Sequence, residues 1–144
     1  HQSCVVGIDI SKTRFDVHVL PSGERFATAS SAGAIKQLVQ RLKRLSLAAV
    51  GLEASGGYEG KLARALHAAG LPVRILPPAR VRAFARAIGE AAKTDRIDAE
   101  MIARCLLAAG DRLQPYAPDP DRDRLSALLA HRGRLVAERS GLGS

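Results

Sequence analysis

The fold is decided by residues 4–29, which read CVVGIDISKTRFDVHVLPSGERFATA. Residues 4–10 form an apolar run that ends at an acid, and residues 14–20 alternate between apolar and polar side chains, as a strand with one buried face does. Residues 21–24 read as a Pro-Ser-Gly-Glu turn, and residues 25–29 are suited to a further strand. The stretch therefore predicts a three-stranded antiparallel meander.

After the meander, the apolar periodicity predicts alternating helices and strands. The first predicted helix is capped by Ser30 or Ser31 and carries Ile35, Leu38, Val39, Leu42 and Leu45. It is followed by a buried strand over residues 47–53, a helix over residues 58–69 closed by Gly70, and a buried strand over residues 73–76. Two further helices are predicted, one from Pro77-Pro78 to Ile88 with Val81, Phe84, Ala85 and Ile88 inward, and one over residues 95–109 capped by Thr94. A meander followed by two right-handed crossovers gives an α/β fold, a mixed five-stranded sheet with helices on both faces.

Length and composition predict one globular domain. A chain of 144 residues suffices for a single core, and 47% apolar with 25% charged residues is typical of globular proteins. No apolar run approaches the roughly 18 to 20 residues of a membrane helix, and the N-terminus lacks a signal-peptide pattern. We therefore expect a cytoplasmic protein without a membrane partner.

The C-terminal part is predicted to be an appendage to that domain. The domain is expected to span residues 1–113, and residues 114–120 contain three prolines and form a stiff linker. Residues 121–144 begin an amphipathic helix rich in Arg. Its Leu128, Leu135 and Leu142 fall seven apart, as in a coiled-coil seam, while Arg132 and Arg139 occupy the partner positions. We expect this helix to join copies of the chain into a homo-oligomer.

The net charge and the cysteine content indicate which kinds of partner and ligand to expect. A formal net charge of +8 suits a partner made of phosphates, whereas only five aromatic residues argue against a base-stacking platform for single strands. Cys4 and Cys105 lie in apolar stretches without neighbouring Cys or His at ligand spacing. They are predicted to be buried thiols rather than zinc ligands or a disulfide.

Four carboxylates are candidates for a common site. Asp9 and Glu53 come at the ends of two predicted strands, which place both acids at one sheet edge if the strands are neighbours. Asp95 and Asp98 are three residues apart and share a face of the predicted helix. Because Ile102 and Cys105 continue that face, the helix is expected to dock with its acidic first turns against the strand ends.

Converging carboxylates stay ionised in a cleft only if a cation neutralises them. Oxygen ligands without His or Cys suit Mg²⁺ or Mn²⁺, and two such ions about 3.5 to 4 Å apart can promote attack on a phosphodiester and stabilise the leaving oxygen. The candidate phosphate-binding residues are Lys12, Arg80, Arg82, Arg86, Lys93 and Arg96.

Each acid also has a simpler explanation. Asp9 can start a turn, and Asp95 in a first helical turn favours the helix dipole without a metal. Asp98 can pair with an arginine on the surface. Glu53 is harder to explain in this way, since a buried strand rarely finishes on an unpaired Glu. The acids best explained as solvated are Asp16, Glu59 and Glu100.

Three segments resemble the motifs of a known family. Residues 7–12 read GIDISK, residues 53–58 read EASGGY, and residues 94–99 read TDRIDA. In this order and at these separations they resemble the DEDD-type transposases of the insertion-sequence one-ten family, which also includes the Piv-like site-specific invertases. The resemblance runs from residue 4 through the Arg-rich helix and covers the N-terminal half of such a protein.

The resemblance implies a RuvC-like, ribonuclease H-like domain in which Asp9, Glu53, Asp95 and Asp98 form the Asp-Glu-Asp-Asp set that binds Mg²⁺. It implies Mg²⁺-dependent DNA cleavage and strand transfer by an oligomer, guided in some members by a structured RNA. In the family a helical connection leads to a C-terminal domain with a serine nucleophile. Neither Ser11 nor Ser55 occupies that position, so this chain alone is not expected to complete recombination.

Three alternatives stay open at this point. A Holliday-junction resolvase is the nearest in mechanism, and a nucleic-acid-binding dimerisation module without its own activity is a second alternative. The third is an actin-like ATPase or sugar kinase, because residues 7–11 also resemble the first phosphate loop of those proteins. That class needs a second Asp-x-Gly hairpin and a Gly-rich adenosine loop, and neither occurs in the sequence.

Overall fold

The structure, a computed structural model, describes residues 3–54, 58–89, 98–113 and 115–118 around a five-stranded sheet. The strands are β1 (Cys4–Ile10), β2 (Arg14–Leu20), β3 (Arg25–Ala29), β4 (Leu47–Glu53) and β5 (Val73–Leu76). The helices are α1 (Ala32–Lys43), α2 (Glu59–Ala68), α3 (Pro78–Ala87) and α4 (Ala99–Ala109), followed by a single 3-10 turn (Gly110–Arg112).

The sheet is mixed, with strand order β3-β2-β1-β4-β5. β1, β2 and β3 pair antiparallel as the predicted meander, whereas β4 pairs parallel with both β1 and β5. The first and fourth strands are neighbours, with Ile8 opposite Leu52. This confirms the predicted α/β fold and the predicted sheet edge.

One face of the sheet is covered by α1 and α2. Strand alternation turns side chains such as Val6, Val17 and Leu52 to this face, where they join one buried cluster. α1 begins after Ser31, whose hydroxyl accepts a hydrogen bond from the backbone N–H of Ala34 at 3.2 Å. Its inward residues are buried as predicted: Ile35, Leu38, Val39 and Leu42.

The other face is covered by α4, with α3 beside it. Ile102, Cys105 and Leu106 of α4 are buried in a second cluster with Val5 of β1 and Leu76 of β5. The predicted inward stripe of the helix is therefore confirmed, and this stripe brings the start of α4 over the meander.

Three sequence predictions fail locally. α4 begins at Ala99, not at Asp95, because the backbone of Asp98 is extended (φ −112°, ψ 175°) and its carboxylate caps the helix. Ile88 is 37% exposed because it is the C-cap of α3, past the last inward turn. Cys4 is only half-buried because it opens the first strand. The proposed cap Thr94 lies outside the described residues.

The chain stays in contact with the sheet beyond residue 113. Pro115 bridges antiparallel to Arg74, and the backbone N–H of Tyr116 donates to the carbonyl of Val73 at 2.8 Å. The Tyr116 ring meets that of His67 edge-on, with centroids 5.6 Å apart. The first residues of the predicted linker thus cover part of the β5 edge, while the predicted helix over residues 121–144 lies outside the described part of the chain.

Among the described helices, none combines the length and the apolar character needed to span a bilayer.

Candidate metal and nucleic-acid site

Asp9 and Glu53 lie at the same edge of the sheet. Asp9 follows Ile8 in β1, and Glu53 follows Leu52 in β4, so the register of the two parallel strands brings the acids into neighbouring positions. Alternation turns both toward the α4 face, and both are half-buried. The predicted meeting of these two acids is therefore found in the structure.

The negative charges of Asp9 and Glu53 repel each other. Burial raises the pKa of Glu53, the negative charge of Asp9 raises this pKa further, and the guanidinium of Arg82 opposes both effects. Two half-buried carboxylates that repel across neighbouring strands are stabilised when a cation is placed between them. Their oxygens are the ligands that Mg²⁺ and Mn²⁺ prefer.

Asp98 lies at the start of α4. Its Oδ1 accepts a hydrogen bond from the backbone N–H of Met101 at 2.8 Å, so one carboxylate oxygen caps the helix. The acid is exposed, whereas the next residue, Ala99, is buried against β1. A carboxylate accepts several hydrogen bonds or metal contacts, so capping leaves Asp98 capacity for a further ligand.

A close contact holds the N-terminal part of α4 against β1. A Cβ atom on Gly7 would overlap the backbone oxygen of Ala99 and the backbone nitrogen of Ala103. Glycine at this position lets α4 lie directly on β1, two residues before Asp9. The N-terminus of α4 is thereby held beside the carboxylate edge.

A cavity of about 460 Å³ separates the start of α4 from the meander. It is lined by Asp9, Arg14, Asp16, Val17, His18, Arg25, Phe26, Ala27, Asp98, Ala99 and Glu100. Asp9 and Asp98 share this cavity, so the structure brings these two predicted site residues to one place.

Two lining acids were missed by the sequence reasoning, which assigned Asp16 and Glu100 to solvent. Asp16 is the cross-strand partner of Asp9 in the antiparallel pair. The signal for it was available: the short turn between β1 and β2 fixes the register, and that register pairs the two aspartates. Arg14 offsets the resulting repulsion with an ion pair to Asp16 at 3.3 Å.

His18 forms the floor of the cavity. It is 4% exposed, and its backbone lies in β2, paired with Gly7 of β1 and Arg25 of β3. Burial lowers its pKa, the charges of Glu100 and Asp98 raise it, and that of Arg25 lowers it. The net lowering favours the neutral imidazole, so His18 does not cancel the negative charge of the surrounding acids.

The predicted cationic residues surround the acids only in part. Arg80, Arg82 and Arg86 are exposed on α3, and the charge of Arg82 reaches Glu53. Lys12 is exposed in the turn after β1. Lys93 and Arg96 were predicted to contact phosphates, and Asp95 was the fourth predicted acid; these three lie outside the described residues.

The described residues alone do not complete a metal site. Within residues 3–54, 58–89, 98–113 and 115–118, no three His, Cys, Asp or Glu side chains are close enough to hold one ion together. The donor chemistry nevertheless fits a hard divalent cation, since Asp9, Glu53 and Asp98 contribute only oxygen atoms.

Comparison with protein families and solved structures gives one family and one fold. A family model of DEDD type, described as transposase, matches residues 6–143. No sequence match is found among curated proteins.

RuvC of Thermus thermophilus, solved in complex with a Holliday junction substrate, is 19% identical with a TM-score of 0.56, over 80% of this chain and 100% of that one. A second structure of T. thermophilus RuvC is 21% identical with a TM-score of 0.49, over 78% and 99%. A ROK hexokinase from the same organism is 20% identical with a TM-score of 0.43, over 58% and 38%.

Proposed function

Because the chain belongs to the DEDD transposases of the insertion-sequence one-ten family, we propose that Asp9, Glu53, Asp95 and Asp98 bind Mg²⁺ or Mn²⁺ for the cleavage of DNA. The chain is a transposase domain with a RuvC-like fold, and its function is DNA cleavage and recombination. The assignment of these four residues and the use of two ions are our inference.

One observation carries this proposal above the others. Asp9 and Glu53 occupy neighbouring positions on parallel strands and are both half-buried, and burial together with the charge of Asp9 raises the pKa of Glu53. A structural role does not require such a pair, because two apolar residues would stabilise the sheet edge better. Cation binding explains why two acids occupy these neighbouring positions.

Phosphodiester cleavage also requires further cation ligands and a phosphate contact, and residues around Asp9 and Glu53 are suited to provide them. A divalent cation bound there would lower the pKa of an attacking oxygen and stabilise the leaving oxygen. Asp9 and Glu53 would hold this cation from the sheet, Asp98 would contribute from the N-cap of α4, and Asp95 is the proposed fourth ligand. Arg82 counters the negative charge beside Glu53 and binds an adjacent phosphate.

DNA is the proposed substrate, and we expect branched DNA in particular. RuvC of T. thermophilus was solved with a Holliday junction, and this chain covers the whole length of that protein. Phosphate contacts are assigned to Lys12, Arg80, Arg82, Arg86, Lys93 and Arg96. A guide RNA and oligomerisation through residues 121–144 are further proposals, as is action at the nucleoid of a prokaryotic cell.

The test is metal-dependent cleavage of a four-way DNA junction by the chain. We expect cleavage with Mg²⁺ or Mn²⁺, none with a chelator, and a loss of at least about 100-fold in D9N or E53Q. The matched control is E24Q, which removes an exposed acid of the turn between β2 and β3. Equal cleavage by D9N and the wild type would exclude the proposed site.

A resolvase-like nuclease is the second candidate. The match to RuvC favours it, because the match covers the full length of the RuvC chain. Junction cleavage that is symmetric and complete without any transposon end sequence would favour the resolvase. Cleavage only at element ends would favour a transposase reaction.

A further inference from the structure

We infer that Arg25 and Glu100 are positioning residues: their ion pair fastens the first turn of α4 to the edge strand β3 and thereby holds Asp98 at the carboxylate edge. This inference deepens the proposed function and rests on it for the role of Asp98. We name the Arg25–Glu100 ion pair the β3–α4 clasp. Neither residue was expected to take part in the site from the sequence.

The clasp joins two distant parts of the chain. Nη2 of Arg25 donates to Oε1 of Glu100 at 2.7 Å, across 75 positions of sequence. β3 is the outermost strand on its side of the sheet, two strands away from β1. Among the residues that the structure describes, this is the only ion pair between α4 and the sheet.

The location of the clasp relates it to Asp98. Glu100 is two residues after Asp98, in the first turn of α4. On its β1 side, the same turn is held by the contact between Gly7 and Ala99. The clasp adds a second attachment on the β3 side, and its two residues line the same cavity as His18. The first turn of α4 is thus attached to the sheet on two sides.

The strength of the clasp suits a local role better than a global one. Arg25 and Glu100 side chains are 68% and 37% exposed, and exposed ion pairs add little to overall stability. Helix ends open locally at small cost, however, so a weak attachment changes how often the first turn opens. We expect its loss to raise that frequency by about threefold.

Amide hydrogen exchange of Met101 is the direct test, since this N–H makes the capping bond to Asp98. We expect R25Q to exchange about threefold faster at Met101, and R25K to retain most of the protection. E24Q is the matched control, because it breaks the Arg41–Glu24 pair, which is also solvent-exposed and joins the meander to α1 instead. It should leave Met101 unchanged.

The E100Q variant, compared with R25Q, distinguishes the effect of the clasp from the effect of an acid on the helix dipole. An acid in the first turn of a helix stabilises that turn without any partner. R25Q keeps this acid and removes only the partner. If E100Q accelerates exchange at Met101 and R25Q does not, the dipole accounts for the protection and the clasp is refuted.

A second readout links the clasp to metal binding. The Mn²⁺ concentration for half-maximal cleavage is expected to rise about threefold in R25Q and in E100Q, and to stay near the wild-type value in R25K. A simple electrostatic effect predicts the opposite for R25Q, which removes a positive charge beside the acids and should strengthen Mn²⁺ binding.

Other results would overturn the inference. If R25Q weakens DNA binding with a chelator present and leaves Met101 exchange unchanged, Arg25 is a phosphate contact rather than a positioning residue. Failure of the proposed function is recognised separately: a wild-type chain that never cleaves DNA with metal refutes the site assignment, while Met101 exchange still decides whether the clasp exists.

Discussion

The backbone of Ala103 in α4 lies directly on Gly7 in β1, so closely that a methyl group on Gly7 would overlap the Ala103 nitrogen and lie 2.9 Å from its Cα. This contact joins the second core cluster to the functional edge, because Gly7 is two residues before Asp9 and α4 begins at the capping acid Asp98. The depth to which the helix docks therefore determines where its acid lies.

Gly7→Ala should destabilise the protein by about 1 to 3 kcal/mol, because backbone atoms cannot move aside as a flexible side chain can. Gly33→Ala is the control: this glycine is in α1 with open space around it, and alanine there should stabilise by about 0.5 to 1 kcal/mol. Chemical denaturation measures both. Equal effects of the two substitutions would refute the tight docking of α4.

Glu53→Gln should stabilise the folded protein at neutral pH. The pKa of Glu53 is raised in the folded state above its ordinary 4.5, so the protein loses stability as pH rises through the folded pKa. Below the ordinary pKa both states are protonated, and glutamine should then confer little advantage. Melting temperatures across this pH range test the sign: a gain that grows toward acid would contradict it.

Asp98 has two roles that different substitutions separate. Asn is as good an N-cap as Asp, so Asp98→Asn should keep the stability while removing the charge that the cation needs. Asp98→Ala should lose about 1 kcal/mol as well as activity. Denaturation and junction cleavage measured on both variants decide this. If Asp98→Asn cleaves normally, the acid serves only as a cap.

Arg82→Gln should weaken DNA binding and reduce the slope of log K against log salt by about 0.9, the value for one phosphate contact. Arg44→Gln removes an exposed arginine at the end of α1 and should leave the slope unchanged. Binding isotherms at several salt concentrations measure both slopes. If the two variants behave alike, Arg82 makes no specific phosphate contact.

Much of this fold could be predicted from local sequence patterns. The alternation in β2 and the apolar runs of β1 and β4 determine which faces are buried, and the boundaries of all five strands follow from them. The pairing of Asp9 with Glu53 could be predicted as well, because parallel neighbours end at the same edge.

The start of α4 and the acids around the cavity were harder to predict. Thr94 and Asp98 are both good capping residues, and the local sequence does not show that the backbone of Asp98 is extended and that the helix begins there. Asp16 and Glu100 have nothing unusual in their local sequence. Their significance comes from the β1–β2 register and from a contact with Arg25, 75 positions away from Glu100.

We propose that Asp9 and Glu53 share a divalent cation, and the anomalous difference map of a crystal soaked in Mn²⁺ would show this ion. We expect a peak coordinated by carboxylate oxygens of both residues in the wild type, and no peak there in D9N. A map in which Mn²⁺ binds elsewhere, while Asp9 and Glu53 have no ion between them, would contradict it.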